Sequence, residues 1–123
     1  MRYHFQIHKE NGGFWAECCE LEGCATQGDT LEELAQNCHE ALNLYLEEPS
    51  DSQTVIALPS DSQVDKRDVI EIGVEPEVAL GVLLRHHRLS SNMTQKQAAK
   101  LLGMQNIYSY QRLERRSNLS NEL

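Results

Sequence analysis

The feature that most constrains this chain is a change of hydrophobic period. Tyr3, Phe5 and Ile7 alternate with His4, Gln6 and His8, the period of two that suits a strand with one buried face. Asn11-Gly-Gly13 supplies residues that adopt positive φ readily, so a hairpin turn is predicted there, and Phe14, Ala16 and Cys18 continue the inward face on a second strand. Cys24-Ala-Thr-Gln27 reads as a third, short strand. From Thr30 the period lengthens. Leu31, Leu34, Ala35, Cys38, Ala41, Leu42 and Tyr45 recur at helical spacing and make one apolar stripe, with Glu32, Glu40, Glu47 and Glu48 mostly on the other side. Thr30 and Glu33 form a capping box at the helix start, and Pro49 stops the helix. A chain patterned this way predicts a small sheet backed by one helix.

Beyond Pro49 the pattern is less regular. Pro49-Ser-Asp-Ser-Gln53 returns as Pro59-Ser-Asp-Ser-Gln63, and Thr54-Val-Ile-Ala-Leu58 between them is a strand candidate flanked by turn formers. Asp68 to Val74 is another. Pro76 suits the first turn of a helix, and Val78 to Leu84 is apolar nearly all round, which predicts burial of more than one face. Thr94 with Gln97 is a second capping box. Ala98, Ala99, Leu101 and Leu102 carry a short helix to Gly103, and a last helix is expected over about 106 to 116. The fold class is α+β: a β-β-β-α-β domain over 1–58, a linker with the last strand over 59–75, and a small all-α domain over 76–123. After Glu114 only Leu119 and Leu123 are large and apolar, so that last domain is expected to be short of cover and to need a second copy or further residues.

Charge divides along the same line. The formal net charge is -8, but residues 1–50 hold two bases against ten acids and residues 77–123 hold seven bases against three acids. Such asymmetry suggests two tasks, one of them with a polyanion. The apolar run Val78 to Leu84 is far too short to span a bilayer, and strand-like sequence begins directly after Met1 with no targeting segment; a cytoplasmic protein is expected. Cys18, Cys19, Cys24 and Cys38 are read as reduced, partly buried thiols. Cys24, Cys38 and His39 lack the paired short spacings of zinc sites, so no metal or other cofactor is expected.

The stretch TQKQAAKLLGMQNIYSYQRLERR, residues 94–116, has the parts of a helix-turn-helix: a small residue (Ala99) for close packing, a turn at Gly103, and a second helix with one dry and one wet face. Ile107, Tyr110 and Leu113 should face a core, with Glu114 at its edge. Gln95, Lys96, Gln105, Asn106, Tyr108, Ser109, Arg112 and Arg116 are the candidate DNA-contact residues, since Gln, Asn, Ser and Arg can pair with base edges or phosphates. Lys100 and Arg115 add charge for backbone contacts.

Two stretches resemble the HicB antitoxin family of bacterial toxin-antitoxin pairs. One is Gly13-Phe-Trp-Ala-Glu17, then Leu21-Glu-Gly-Cys-Ala-Thr-Gln-Gly-Asp-Thr-Leu-Glu-Glu33, Asn37 and Glu40-Ala-Leu42. The other is the 94–116 segment, which is similar to the phage-repressor-like domain of many members. The resemblance implies a partial RNase H-like fold for the N-terminal domain, which in the family binds and masks a small mRNA-cleaving HicA toxin. It also implies a C-terminal half that dimerises and binds the operator, so the implied partners are a small basic HicA-type toxin, operator double-stranded DNA, and further copies of the chain as a homodimer or tetramer. No membrane partner is implied, and the toxin-facing residues are not specified.

Two other classes compete. An RNase H-type enzyme needs carboxylates clustered around metal ions, whereas Asp29 suits a helix start and the helix glutamates suit a solvated face; no catalytic residues are expected and the chain is read as a non-enzyme. The alternative is a stand-alone transcription regulator whose N-terminal domain binds a small ligand or dimerises. It predicts no obligatory protein partner.

Overall fold

The computed structural model describes residues 1–47, 55–60 and 66–115. It is a mixed α+β structure with two compact units, Met1–Tyr45 with Ala57–Val74, and Leu46–Ile56 with Glu75–Leu123. Pro49 and most of both Pro-Ser-Asp-Ser-Gln segments lie outside the described residues.

In the first unit β1 (Arg2–Glu10), β2 (Gly13–Cys18) and β3 (Ala25–Gly28) precede α1 (Leu31–Leu46), and β4 (Val69–Gly73) follows it. The sheet order is β3-β2-β1-β4, antiparallel throughout. The β1–β2 hairpin turns on Asn11 and Gly12, both at positive φ (50° and 81°). That is the backbone a two-residue primed turn requires. Gly13 is already in the strand.

The alternation sorts the faces as the sequence predicts. Tyr3, Phe5, Ala16, Cys18 and Ile72 are buried from the sheet, as are Leu34, Cys38 and Leu42 from α1. The ends of the helical stripe behave differently: Leu31 and Tyr45 are exposed, and the Tyr45 hydroxyl donates to the Glu22 carbonyl at 2.8 Å. Thr30 Oγ1 accepts from the Glu33 N–H at 3.1 Å, which sets the start of α1. His4 departs from the pattern. It sits on the nominally polar face of β1 yet is 3% exposed, with Cys19 and Glu20 bonded to it and the Ser60 amide bonded to Glu20.

The strand expected at 54–58 is not formed over its described part, 55–58. No neighbouring strand pairs with it. Instead Tyr3 donates its hydroxyl to the Ala57 carbonyl at 2.7 Å, so a side chain meets the backbone demand that a ladder would have met.

In the second unit α2 (Pro76–Ser90), α3 (Gln95–Leu101) and α4 (Ile107–Glu114) pack together. The expectation that α2 buries more than one face is wrong. Val78, Gly81, Val82, Arg85 and Arg88 are buried along one stripe, while Leu80 and Leu83 are 42% and 46% exposed. Two arginines take the inner positions that an apolar reading gives to leucines.

Gly28 joins β3 to α1 at a point with no room for a side chain: a Cβ there would lie 2.7 Å from the Leu34 amide nitrogen and 2.9 Å from Leu34 Cα. Gly28→Ala should therefore lower stability by about 1–3 kcal/mol, the usual cost of overpacking. Gly73→Ala, which meets nothing within 4 Å, should stay within about 0.5 kcal/mol of the parent. Urea unfolding of both variants checks the contrast.

Candidate functional site

The second unit is organised around one carboxylate. Glu114, the last residue of α4, is 2% exposed. Arg88 of α2 grips it with a fork, Nε to Oε2 at 2.7 Å and Nη2 to Oε1 at 3.1 Å. Gln95 of α3 donates to the same Oε1 at 3.2 Å and accepts from Gln111 at 2.9 Å. Arg85 donates to the Glu114 carbonyl at 2.9 Å. Gly81 permits this approach, since a Cβ there would sit 2.8 Å from that carbonyl oxygen. Three helices are thus tied at one point.

Burial alone would raise the Glu114 pKa, but hydrogen bonds from Arg88, Tyr110 and Gln95 outweigh it and hold the carboxyl below its ordinary range. The same burial works against the Arg88 charge, and Glu114 more than restores it. Burial, reinforced by the neighbouring carboxylate, pushes the Tyr110 hydroxyl up, so it stays a neutral donor. An edge position for Glu114 is therefore corrected: it lies at the centre, held there by charge-assisted bonds.

The helix pair α3–α4 is built by local signals. Thr94 and Gln97 close a full capping box, and Gly103 takes φ +75° in the turn, a conformation suited to glycine. Asn106 caps α4, its Oδ1 accepting from the Ser109 N–H at 2.9 Å. Ala98, Ala99 and Tyr110 are buried together with Met93 and Met104 against them.

The candidate contact residues divide into three groups. Lys96, Gln105, Tyr108, Ser109 and Arg112 are exposed on α3, the turn and α4, and Asn106 is exposed while serving as the cap. Gln95 is half-buried with its amide committed to the Glu114 network. Arg116 lies outside the described residues. The charge of this unit also changes meaning, since Arg85 and Arg88 are 4% and 2% exposed. Among the described residues of this unit Lys96, Lys100 and Arg112 are the exposed lysines and arginines, and Arg115 is half-buried.

In the first unit the surface is acidic. Glu10, Glu17, Glu22, Asp29, Glu32, Glu33 and Glu40 are all exposed. His8 stacks on Trp15 with ring centroids 4.1 Å apart, and its Nε2 lies 2.7 Å from Glu17 Oε2. Glu20 is drawn inward: it meets His4 Nδ1 at 2.6 Å and accepts from the His4 and Ser60 amides at 3.0 and 3.1 Å. Its burial raises the pKa, and these bonds lower it further than burial lifts it. The four cysteines are free thiols. Among the described residues no group of His, Cys, Asp and Glu is placed to hold a metal ion, and no helix is long and apolar enough to cross a membrane.

The comparisons with known proteins agree with this architecture. No protein-family model matches the chain. A UPF0150 protein of Synechocystis sp. is 50% identical over 46 residues, 37% of this chain and 58% of that protein; the chain thus spans little more than half the length of that relative. Antitoxin HicB of Pseudomonas fluorescens is 25% identical over 103 residues, 84% of this chain and 69% of the relative. A chain of a HicA3 and HicB3 toxin-antitoxin complex superposes with a TM-score of 0.52 and 21% identity, covering 62% of this chain and all of that one. The chain thus resembles Antitoxin HicB in sequence and shares its fold with a chain of a toxin-antitoxin complex.

Removing one partner of the buried pair leaves an uncompensated charge, so Arg88→Met should cost about 3–5 kcal/mol, while Arg88→Met with Glu114→Leu should recover most of it. Glu114 binds its proton less readily folded than unfolded. Its stabilisation is therefore complete above the ordinary value of 4.5 and is lost as pH falls through the lower folded value. Denaturation followed between neutral and acid pH should show this loss in the parent and a weaker one in Glu114→Gln.

Proposed function

We propose that this chain is an antitoxin with two duties: its first unit binds and masks a small basic HicA-type toxin, and its second unit binds operator DNA and represses the shared operon. The observation that carries the reading is the likeness to Antitoxin HicB, which runs through residues of both units over 84% of the chain. In this reading the first unit is a partial RNase H-like domain and α3 with α4 is a helix-turn-helix. Inhibition works by occlusion, without catalysis by this chain, in the cytoplasm.

Physical features support each duty. The exposed carboxylates of the first unit suit a basic, RNA-binding partner by charge complementarity, which speeds encounter and orients docking. Lys96, Lys100 and Arg112 suit phosphates, and Gln105, Tyr108 and Ser109 lie on the exposed face beside them. Gln95 is better assigned to holding α3 on α4 than to reading bases. Leu101 and Leu102 are 70% and 52% exposed; their cover by a second copy fits the twofold symmetry of operators.

Two measurements test the division of labour. A tagged pull-down from the native host at moderate salt should yield a small basic protein in stoichiometric amount, whereas a bait without partner points to a stand-alone regulator. Arg112→Ala should weaken operator binding by about 1–3 kcal/mol and leave neutralisation of that partner intact. Loss of neutralisation in a folded Arg112→Ala variant would overturn the assignment of the two duties.

A further inference from the structure

The proposed function makes no use of the thiols, yet three of them converge on the inner face of the sheet. The β2–β3 ladder pairs Glu17 with Ala25. One step further the Cys18 N–H donates to the Cys24 carbonyl at 2.8 Å. Cys18 and Cys24 therefore lie opposite each other one register step beyond the ladder, the Cys24 N–H turning to the Leu21 carbonyl at 3.3 Å, and antiparallel partners have Cα atoms about 4.5–5.5 Å apart. Disulfides span Cα separations of about 4.4–6.8 Å. Both side chains are on the same face as Ala16 and are buried, at 7% and 3% exposed. Cys19 is exposed.

We propose that Cys18 and Cys24 form a reversible intramolecular disulfide when the chain meets hydrogen peroxide, closing the base of the 19–23 loop. The Cys18 thiol donates to Glu20 Oε1 at 3.7 Å, and the neighbouring sulfurs act on each other so that the Cys24 pKa is lowered and that of Cys18 raised. Cys24 is thus the nucleophile. Cys38, on α1 behind the pair, is pushed up to about 11 by its burial and stays a thiol.

The atoms balance in two steps. The Cys24 thiolate attacks one peroxide oxygen, the O–O bond breaks, and the leaving hydroxide takes a proton to give water and a sulfenic acid. The Cys18 sulfur then attacks the Cys24 sulfur, the S–O bond breaks, and the hydroxyl leaves as a second water with the Cys18 proton. Two thiols are oxidised and one peroxide is reduced. A small thiol reverses the bond by exchange.

The loop that this bond would close is already a structural clasp. Its Glu20 holds His4 and the Ser60 amide, and its Leu21 is 3% exposed. Oxidation would fix that clasp covalently at its base and leave the α2–α4 unit untouched.

The test uses the full chain, treated with hydrogen peroxide under native conditions and alkylated. Two of the four thiols should be protected and then recovered after reduction with dithiothreitol. Digestion after glutamate cuts at Glu17, Glu20 and Glu22, so the peptide Cys18-Cys19-Glu20 should be joined to the one beginning at Gly23. Cys19→Ser should retain this link, and Cys18→Ala and Cys24→Ala should each abolish it. A link through Cys19 or Cys38 would overturn the proposal. So would four alkylatable thiols in the native chain under conditions that oxidise the urea-unfolded one.

Discussion

The second unit depends on a buried carboxylate. Glu114 ends α4, yet it sits where a leucine would ordinarily sit, and its charge is tolerated because Arg88 meets both oxygens and Gln95 adds a third bond. An ion pair of this kind is a weak source of net stability, since desolvating both partners offsets most of the attraction. What it supplies is geometry. An apolar contact can slide by a turn of helix at modest cost, whereas a forked guanidinium has one low-energy arrangement on a carboxylate. With Arg85 on the Glu114 carbonyl and Gly81 leaving room for it, α2 determines where α4 ends and hence which way its exposed face points.

The first unit is organised by its central strand. β1 pairs with β2 on one side and β4 on the other, so strands far apart in sequence share one layer. Its inner residues Tyr3 and Phe5 are fully buried, and Tyr3 also secures the Ala57 carbonyl. On the opposite face His4 and Glu20 make a second inward polar pair. The two units thus follow a common plan: an apolar core of modest size is supplemented by a buried, hydrogen-bonded polar pair that orients the loops or helices around it. The surfaces left over have opposite sign, acidic on the sheet unit and basic on α3 and α4, which is the separation that two dissimilar partners require.

Much of this was legible in the residues. The alternation at Tyr3 to Ile7, the Asn11-Gly12 turn, the Thr30 cap and the Thr94–Gln97 box all appear in the structure, because each is a local signal whose effect is spent within a few residues. The inner strand and helix positions Phe5, Ala16, Leu34, Cys38 and Leu42 follow from period alone. The misreadings share a cause. Val55 to Leu58 has strand composition but no strand beside it, and Leu80 and Leu83 have core composition but lie on the outer side of α2. Arg85 and Arg88 have the charge of surface residues but lie inside, and Glu114 has that of an edge residue but lies at the centre. In each case composition was legible and the long-range partner was not.

By itself, then, the sequence determined where most of the elements lie, which face of each strand of the sheet is apolar, how charge divides between the halves, and the likeness to HicB antitoxins. Those properties depend on neighbours along the chain. Only the tertiary structure decided that His4 and Glu20 close on each other, that Cys18 lies opposite Cys24, and that Gln95 serves Glu114 and not the surface. Burial of a polar group depends on partners that are distant in sequence: His4 and Glu20 are 16 residues apart, and Arg88 and Glu114 are 26. No local pattern carries that information, because the cost of burying a charge is set by what meets it in space.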